Sequence, residues 1–383
     1  MTDSQEKVNL LDLDRKGLTQ FFIKMNEKPF RAQQMLRWIH QKGVIDFDEM
    51  TDLSHALREK LKANAYIRTP GLLSMQHSKD GTRKWLFSSF NNSAIETVYI
   101  PEKNRATLCI SSQVGCALNC KFCHTAQQGF QRNLTPAEII GQLWYVVHTL
   151  RKEIEKENPV TNVVFMGMGE PLLNYENVLP TISIMQDDIA YNLSKKRVTL
   201  STSGVLPFLE KFIDDTDIAL AVSLHAPNDA IRTEIMPINK KYPLADLIKT
   251  CKRWTQKHKR RKVTIEYVML AGINDQKHHA HELVKVLNNF PAKVNLIPFN
   301  PFAGADYKCS SKETIQAFQE ILMAHDIITI VRRTRGDDID AACGQLAGRV
   351  LDRTKRSQAY QSMKQYQLPV VVNTTVSQEP TIN

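Results

Sequence analysis

Three cysteines fall within one short run, Cys116-Ala117-Leu118-Asn119-Cys120-Lys121-Phe122-Cys123. Thiolates crowded in this way ligate metal or carry redox chemistry. A structural zinc ion needs a fourth Cys or His. His124 is the nearest candidate, but its immediate succession to Cys123 makes a tetrahedron awkward. Three thiolates on a compact loop better suit a [4Fe–4S] cluster that keeps one iron open to a ligand. The chain has seven cysteines, an odd number. Its start, Met1-Thr2-Asp3-Ser4-Gln5-Glu6-Lys7, lacks the basic and apolar regions of a secretory signal. A cytoplasmic protein is therefore expected, with its cysteines in ligation or catalysis and not in a disulfide framework.

Other reactive groups stand where predicted strands end. Segment 162–166 runs into Gly167-Met168-Gly169-Glu170-Pro171, whose glycines let backbone approach a ligand and whose Glu170 can accept hydrogen bonds. Segment 197–201 ends in Ser201-Thr202-Ser203-Gly204, segment 218–223 in Ser223-Leu224-His225, and segment 294–298 runs into Asn300. One terminal serine is more often a helix cap. Four polar strand ends beside a cluster motif point to a ligand site, because parallel βα arrays bind at the carboxyl ends of their strands. Of the remaining cysteines, Cys251 and Cys309 read as small packing residues. Cys109 lies on the strand-like run 106–110. Cys343 stands among the small and acidic residues of Arg335–Gly348, a composition suited to a functional loop.

The elements that must position these groups alternate. Strands are predicted at 84–87, 95–100, 107–110, 162–166, 197–201, 218–223, 263–269, 294–298 and 327–331. Helices are predicted at 136–150, 244–258, 279–288 and 312–324. This alternation implies parallel βα units in an α/β fold. Residues 1–80 read as a small helical module, with amphipathic stretches at 32–40 and 53–61. The expected domains are an N-terminal helical accessory domain at 1–80 with RNA contact, a β extension at 81–104 carrying Glu96, a core at 105–350 and a C-terminal extension at 351–383. No apolar run is long enough to span a membrane. The net charge of +10 favours a polyanionic partner, RNA or DNA, against the alternative of a basic enzyme with no nucleic-acid partner. Two basic runs, 257–262 and 332–335, are candidate RNA contacts, the second more so because it lies near Cys343.

The C-x-x-x-C-x-x-C loop resembles the motif of the radical S-adenosylmethionine (SAM) superfamily. Together with Glu96-Thr97-Val98-Tyr99-Ile100-Pro101, Arg105-Ala106-Thr107-Leu108-Cys109, Gly167-Met168-Gly169-Glu170-Pro171-Leu172 and Gly336–Gly348, it resembles the RlmN/Cfr family of RNA methyltransferases. The likeness is to the branch that methylates adenine C2 and runs through residues 8–356. It implies a partial (βα) TIM-like barrel, one [4Fe–4S] cluster per chain held by Cys116, Cys120 and Cys123, and SAM contacts from Gly169, Glu170, Ser201, Ser223, Leu224, His225 and Asn300. Two SAM molecules would be consumed per turnover. The implied substrates are 23S rRNA at the peptidyl-transferase centre and tRNA beside the anticodon. The implied partners are an electron donor such as a flavodoxin/reductase pair, with no membrane and a monomeric chain.

The resemblance also assigns chemistry to Cys343, Cys109 and Glu96. Adenine C2 is electron-poor and has no lone pair, so direct attack on the SAM methyl fails. Cys343 would first take a methyl group by polar displacement. Hydrogen abstraction from that S-methyl group would give a carbon radical that adds to C2, tethering base to protein. Glu96 would accept the C2 proton, and Cys109 would release product through a transient disulfide with Cys343, which a reducing cytosol permits. The target base would have to leave its stack. The rivals are a Cfr-type C8 methyltransferase, a non-catalytic iron–sulfur or zinc RNA-binding module, and a radical SAM enzyme acting on protein or a small molecule.

Overall fold

A computed structural model describes residues 6–302 and 304–346. Parts of two expectations, Ala347-Gly348 and the 351–383 extension, lie outside the described residues.

The helical module holds helices Arg15–Lys24, Arg31–Leu36 and His55–Asn64. Asp14 caps the first by accepting from the Gly17 N–H, and Ser54 caps the third through the Leu57 N–H. Each side chain satisfies a backbone donor that a helix start leaves unpaired. The segment 1–80 is not helical throughout, however. After Asn64 the chain extends, and Gly71–His77 forms strand β1. Every residue of β1 is exposed, so it lacks the alternating burial that marks a strand in sequence. The local signal for it is Asp80-Gly81. Gly81 takes a positive φ of 85° in the tight turn, and Asp80 Oδ1 accepts from the Thr82 N–H at 2.9 Å. This is the residue pair that short hairpin turns favour.

Strand β2 (Arg83–Ser88) leads to β3 (Ala94–Pro101) and β4 (Ala106–Cys109). The core then adds β5 (Asn162–Phe165), β6 (Val198–Thr202), β7 (Ala219–Ser223), β8 (Val263–Met269), β9 (Ala292–Pro298) and β10 (Ile328–Val331). Strands β4 to β10 are mutually parallel neighbours in chain order, and β3, β2 and β1 extend the β4 edge in antiparallel fashion. Helices such as Pro136–Ile154 and Leu244–Lys257 connect the parallel strands. The first opens with a Thr135/Glu138 capping box and a proline in its first turn. β8 is buried along its whole length, as expected where helices cover one face and side chains fill the other.

Residues from β3 round to β10 line a single cavity, so the sheet curls on itself. β1 and β10 remain unpaired edges, which leaves the barrel partial. The chain is therefore an α/β protein with a parallel-rich partial barrel and an N-terminal helical module. Among the described residues, no helix is long and apolar enough to cross a membrane.

Candidate active site

Alternation along the strands stacks two chambers inside the curl, because every second side chain points inward. On β8, Thr264 faces a lower chamber, Val268 faces an upper one, and Glu266 between them faces both. On β9 and its exit, Lys293 and Asn295 face down, Ile297 faces both, and Phe299 faces up. The lower chamber has a volume of about 450 Å³.

The upper chamber, at the carboxyl ends of the strands, is lined by Cys116, Cys120 and Cys123. Backbone bonds shape their loop. Cys116 donates to the Gly129 carbonyl at 2.7 Å and Lys121 to that of Ile235 at 3.0 Å, while Asn119 turns the chain at φ 58°. Burial pushes the Cys120 thiol well up, and the neighbouring Cys116 and Cys123 push it further, with Arg232 opposing. Three sulfurs whose thiolate forms would repel one another in a low-dielectric space are suited to a cationic iron group. His124 does not join them, since its ring stacks on Phe302 with centroids 4.9 Å apart. Among the described residues no three His, Cys, Asp or Glu close on one point tightly enough for a single ion. A cluster of several irons accepts more widely spaced sulfurs, so the shared chamber and the mutual repulsion carry the fit.

Gly169, Glu170, Ser201, Ser223 and His225 line the same chamber. At Gly169 (φ 97°) a Cβ would lie 2.5 Å from Gln113 Cβ, so no other residue fits without displacement. Glu170 accepts from Thr202 Oγ1 and the Ser203 N–H at 2.8 Å and from the Leu172 N–H at 3.1 Å; burial raises its pKa, against those bonds. His225 Nδ1 accepts from the Val268 N–H at 3.0 Å, and burial lowers the ring pKa to about 3. The ring is neutral, and its proton sits on Nε2.

Two sequence candidates are elsewhere. The Leu224 side chain is packed in the core, which leaves only its backbone near the ligand space. Asn300 lines the lower chamber, where its Nδ2 donates to the Cys343 carbonyl at 3.2 Å.

Cys343 faces both chambers, and Cys109 lines the lower one. All seven cysteines are free thiols, so no disulfide joins this pair. Burial first, and then the Cys343 sulfur, push the Cys109 thiol up to about 12, with Arg332 pulling the other way. The Cys343 loop is pinned to the cluster loop: the His124 N–H donates to the Gly344 carbonyl at 2.8 Å and Thr125 Oγ1 to that of Leu346 at 2.5 Å. Glu96 lines neither chamber. It is buried at the loop's flank, 3.2 Å from Lys84 Nζ, which also donates to the Asp340 carbonyl at 3.1 Å.

Several contributors are not legible in the sequence. Arg232, fully buried, donates to the carbonyls of Leu224, Ser203 and Ser223 at 2.8–3.2 Å and so ties the exits of β6 and β7 together. Arg332 belongs to a basic run, yet it faces both chambers. Arg335 pairs with Asp80 at 3.7 Å, and Arg333 is exposed. The other basic run lies before β8, at the end of the strand opposite the site. There Lys257 Nζ donates to the Ile213 carbonyl at 2.7 Å, and the Arg261 guanidinium lies over the Trp254 ring.

Residues 8–67 match the family model described as the ribosomal RNA large subunit methyltransferase N-terminal domain, and residues 110–284 that of the radical SAM superfamily. A dual-specificity RNA methyltransferase RlmN of Alkalilimnicola ehrlichii is 56% identical over 351 residues, covering 92% of this chain and 97% of that protein. The protein of the same name from Marinobacter nauticus is 52% identical over 366 residues, covering 95% and 99%. A crystal structure of a radical SAM methyltransferase from Sphaerobacter thermophilus superposes with a TM-score of 0.83 at 38% identity, covering 88% of this chain and 99% of that one.

Proposed function

This chain belongs to the RlmN family of radical SAM RNA methyltransferases, and on that premise we propose that it methylates adenine C2 in 23S rRNA, at the peptidyl-transferase centre, and in tRNA, beside the anticodon. The observation that carries this reading is the position of Cys343, on the wall between a chamber rimmed by three cysteines and a chamber holding Cys109.

Cys116, Cys120 and Cys123 would hold a [4Fe–4S] cluster. Gly169, Glu170, Ser201, Ser223, Leu224, His225 and Asn300 would hold SAM, Leu224 through its backbone and Asn300 by way of the Cys343 loop. When bound, this pair supplies a one-electron cleavage of SAM that abstracts hydrogen from an unactivated C–H bond, drawing electrons from a donor such as a flavodoxin/reductase pair. Cys343 acts first as a thiolate nucleophile, forming its S–CH3 bond as the methyl–sulfonium bond of SAM breaks. After hydrogen is removed from that methyl group, its carbon bonds to adenine C2, and Cys343 tethers the base. Glu96, on the flank of the Cys343 loop, is the proposed acceptor of the C2 proton, and the adduct's unpaired electron would return to the cluster. The Cys109 thiolate then attacks the Cys343 sulfur, the sulfur–methylene bond breaks, and the released carbon takes a proton to become the methyl group; the Cys109–Cys343 disulfide left behind is reopened by a reductant for the next cycle. The N-terminal helical module, whose helices lie between Arg15 and Asn64, and the exposed Arg333 are the proposed RNA contacts of a monomeric enzyme.

Anaerobically reconstituted protein, incubated with SAM, reductant and either rRNA fragments or tRNA, is expected to yield 2-methyladenosine by nucleoside mass spectrometry. A methyl group on C8, or no methylated adenine, refutes the reading.

A further inference from the structure

The chemistry above leaves Glu266 and Arg332, both on the chamber wall, unused. Glu266 is 3% exposed, in the middle of β8. Its Oε1 accepts from Asn295 Nδ2 at 2.9 Å, while its Oε2 is buried without a hydrogen-bond partner. A buried carboxylate oxygen lacking a donor is costly, and such an atom on a chamber wall is explained by a ligand that supplies one. Five side chains face both chambers: Met166, Glu266, Ile297, Arg332 and Cys343. The wall around the Cys343 sulfur therefore offers an acceptor, a cationic donor and two apolar surfaces. Arg332 is held there by its backbone, whose N–H donates to the Leu296 carbonyl at 2.8 Å.

A flat ring carrying an amine next to a ring nitrogen is the complement of this wall. We propose that Glu266 Oε2 accepts a hydrogen bond from the exocyclic amine of the target adenine and that Arg332 donates to the adjoining N1, with the ring packed between Met166 and Ile297. The assignment rests on the reading of adenine as substrate. It orients the base, because C2 is bonded to N1, and an N1 held by Arg332 brings C2 toward Cys343 and turns C8 away. It also selects against guanine, which would set its O6 acceptor against the carboxylate and its N1–H against the guanidinium.

The test pairs side-chain changes with changes to the base, using full-length reconstituted enzyme and a tRNA carrying adenosine, purine riboside (no amine) or inosine (a 6-oxo group) at the target position. For the unaltered enzyme, loss of the amine should lower kcat/KM by about 10- to 100-fold, the usual cost of a hydrogen bond to a charged group. In Glu266→Met, which has no acceptor, adenosine should suffer a similar loss and purine riboside none beyond it. Glu266→Gln keeps the side chain's shape and can turn an NH2 toward a 6-oxo group, so its preference for adenosine over inosine should shrink by at least tenfold. Equal amine-removal losses in unaltered enzyme and Glu266→Met, or an unchanged adenosine/inosine ratio in Glu266→Gln, would overturn the assignment. An unaltered enzyme that methylates no adenine removes the functional reading itself, and the assignment with it. Active enzyme with an unmoved specificity rejects the assignment alone.

Discussion

Replacing Cys109 by alanine separates a packing role from a chemical one. Cys109 is 7% exposed on β4, opposite Val98. Deleting one sulfur from this position should cost roughly 1–2 kcal/mol, and Tm should fall by about 2–6 °C. If packing were its only role, the variant would otherwise turn over normally and remain free of RNA. If it resolves the tethered base, the variant should form the Cys343–methylene–RNA adduct and stop, so that protein accumulates with RNA attached. Denaturing gels would show a retarded band that collapses on ribonuclease digestion. The thiol's environment adds a quantitative check on the unaltered enzyme. With burial pushing Cys109 up to about 12, about one molecule in ten thousand carries the thiolate at pH 8. Single-turnover product release should therefore rise roughly tenfold per pH unit between pH 7 and 9, without a plateau. Normal turnover by Cys109→Ala with no adduct, or a flat release rate across that range, would return Cys109 to the core.

Cys116→Ala, Cys120→Ala and Cys123→Ala should each abolish iron binding and SAM cleavage, read as loss of cluster absorbance and of 5′-deoxyadenosine; full retention of either defeats the ligand assignment. Cys343 should purify partly as S-methylcysteine from cells that load the cluster, and peptide mass spectrometry finding the methyl group on another residue would remove it from this role. Gly169→Ala forces a Cβ into Gln113 at a positive φ of 97°. It should cost about 2–4 kcal/mol of stability and weaken SAM binding, by melting and equilibrium dialysis. His40 is lowered to about 3 by burial, with His148 adding to it. The folded state therefore binds the proton less well than the unfolded chain, whose histidine titrates near 6.5. The resulting stability is intact above pH 6.5 and falls by about 1.4 kcal/mol per pH unit below it, down to about pH 3. His40→Phe should flatten the acid side of a pH–Tm profile.

Much of the site is local and so is readable from the chain alone. The cluster loop is a short-range spacing, and the strand ends follow from period and punctuation. Local pattern therefore suffices to assign the Cys116–Cys123 run and the groups at 169–170, 201, 223 and 225 to one rim. The α/β class follows in the same way, since buried parallel strands and their covering helices each carry a distinct periodicity. What sequence could not supply was direction across the fold. Nothing local says that Arg332 turns inward while Arg333 is exposed, that Asn300 serves the Cys343 carbonyl, or that Leu224 offers only its backbone. β1 escapes because its side chains are all exposed and carry no burial pattern. The approach of Cys109 and Cys343 to one chamber spans more than 200 residues. It exists because seven parallel strands curl until the loop after the last one closes over the first. Two thiols, a guanidinium and a half-paired carboxylate share one chamber only in that closed arrangement, where removal from water turns separate side chains into a coupled site.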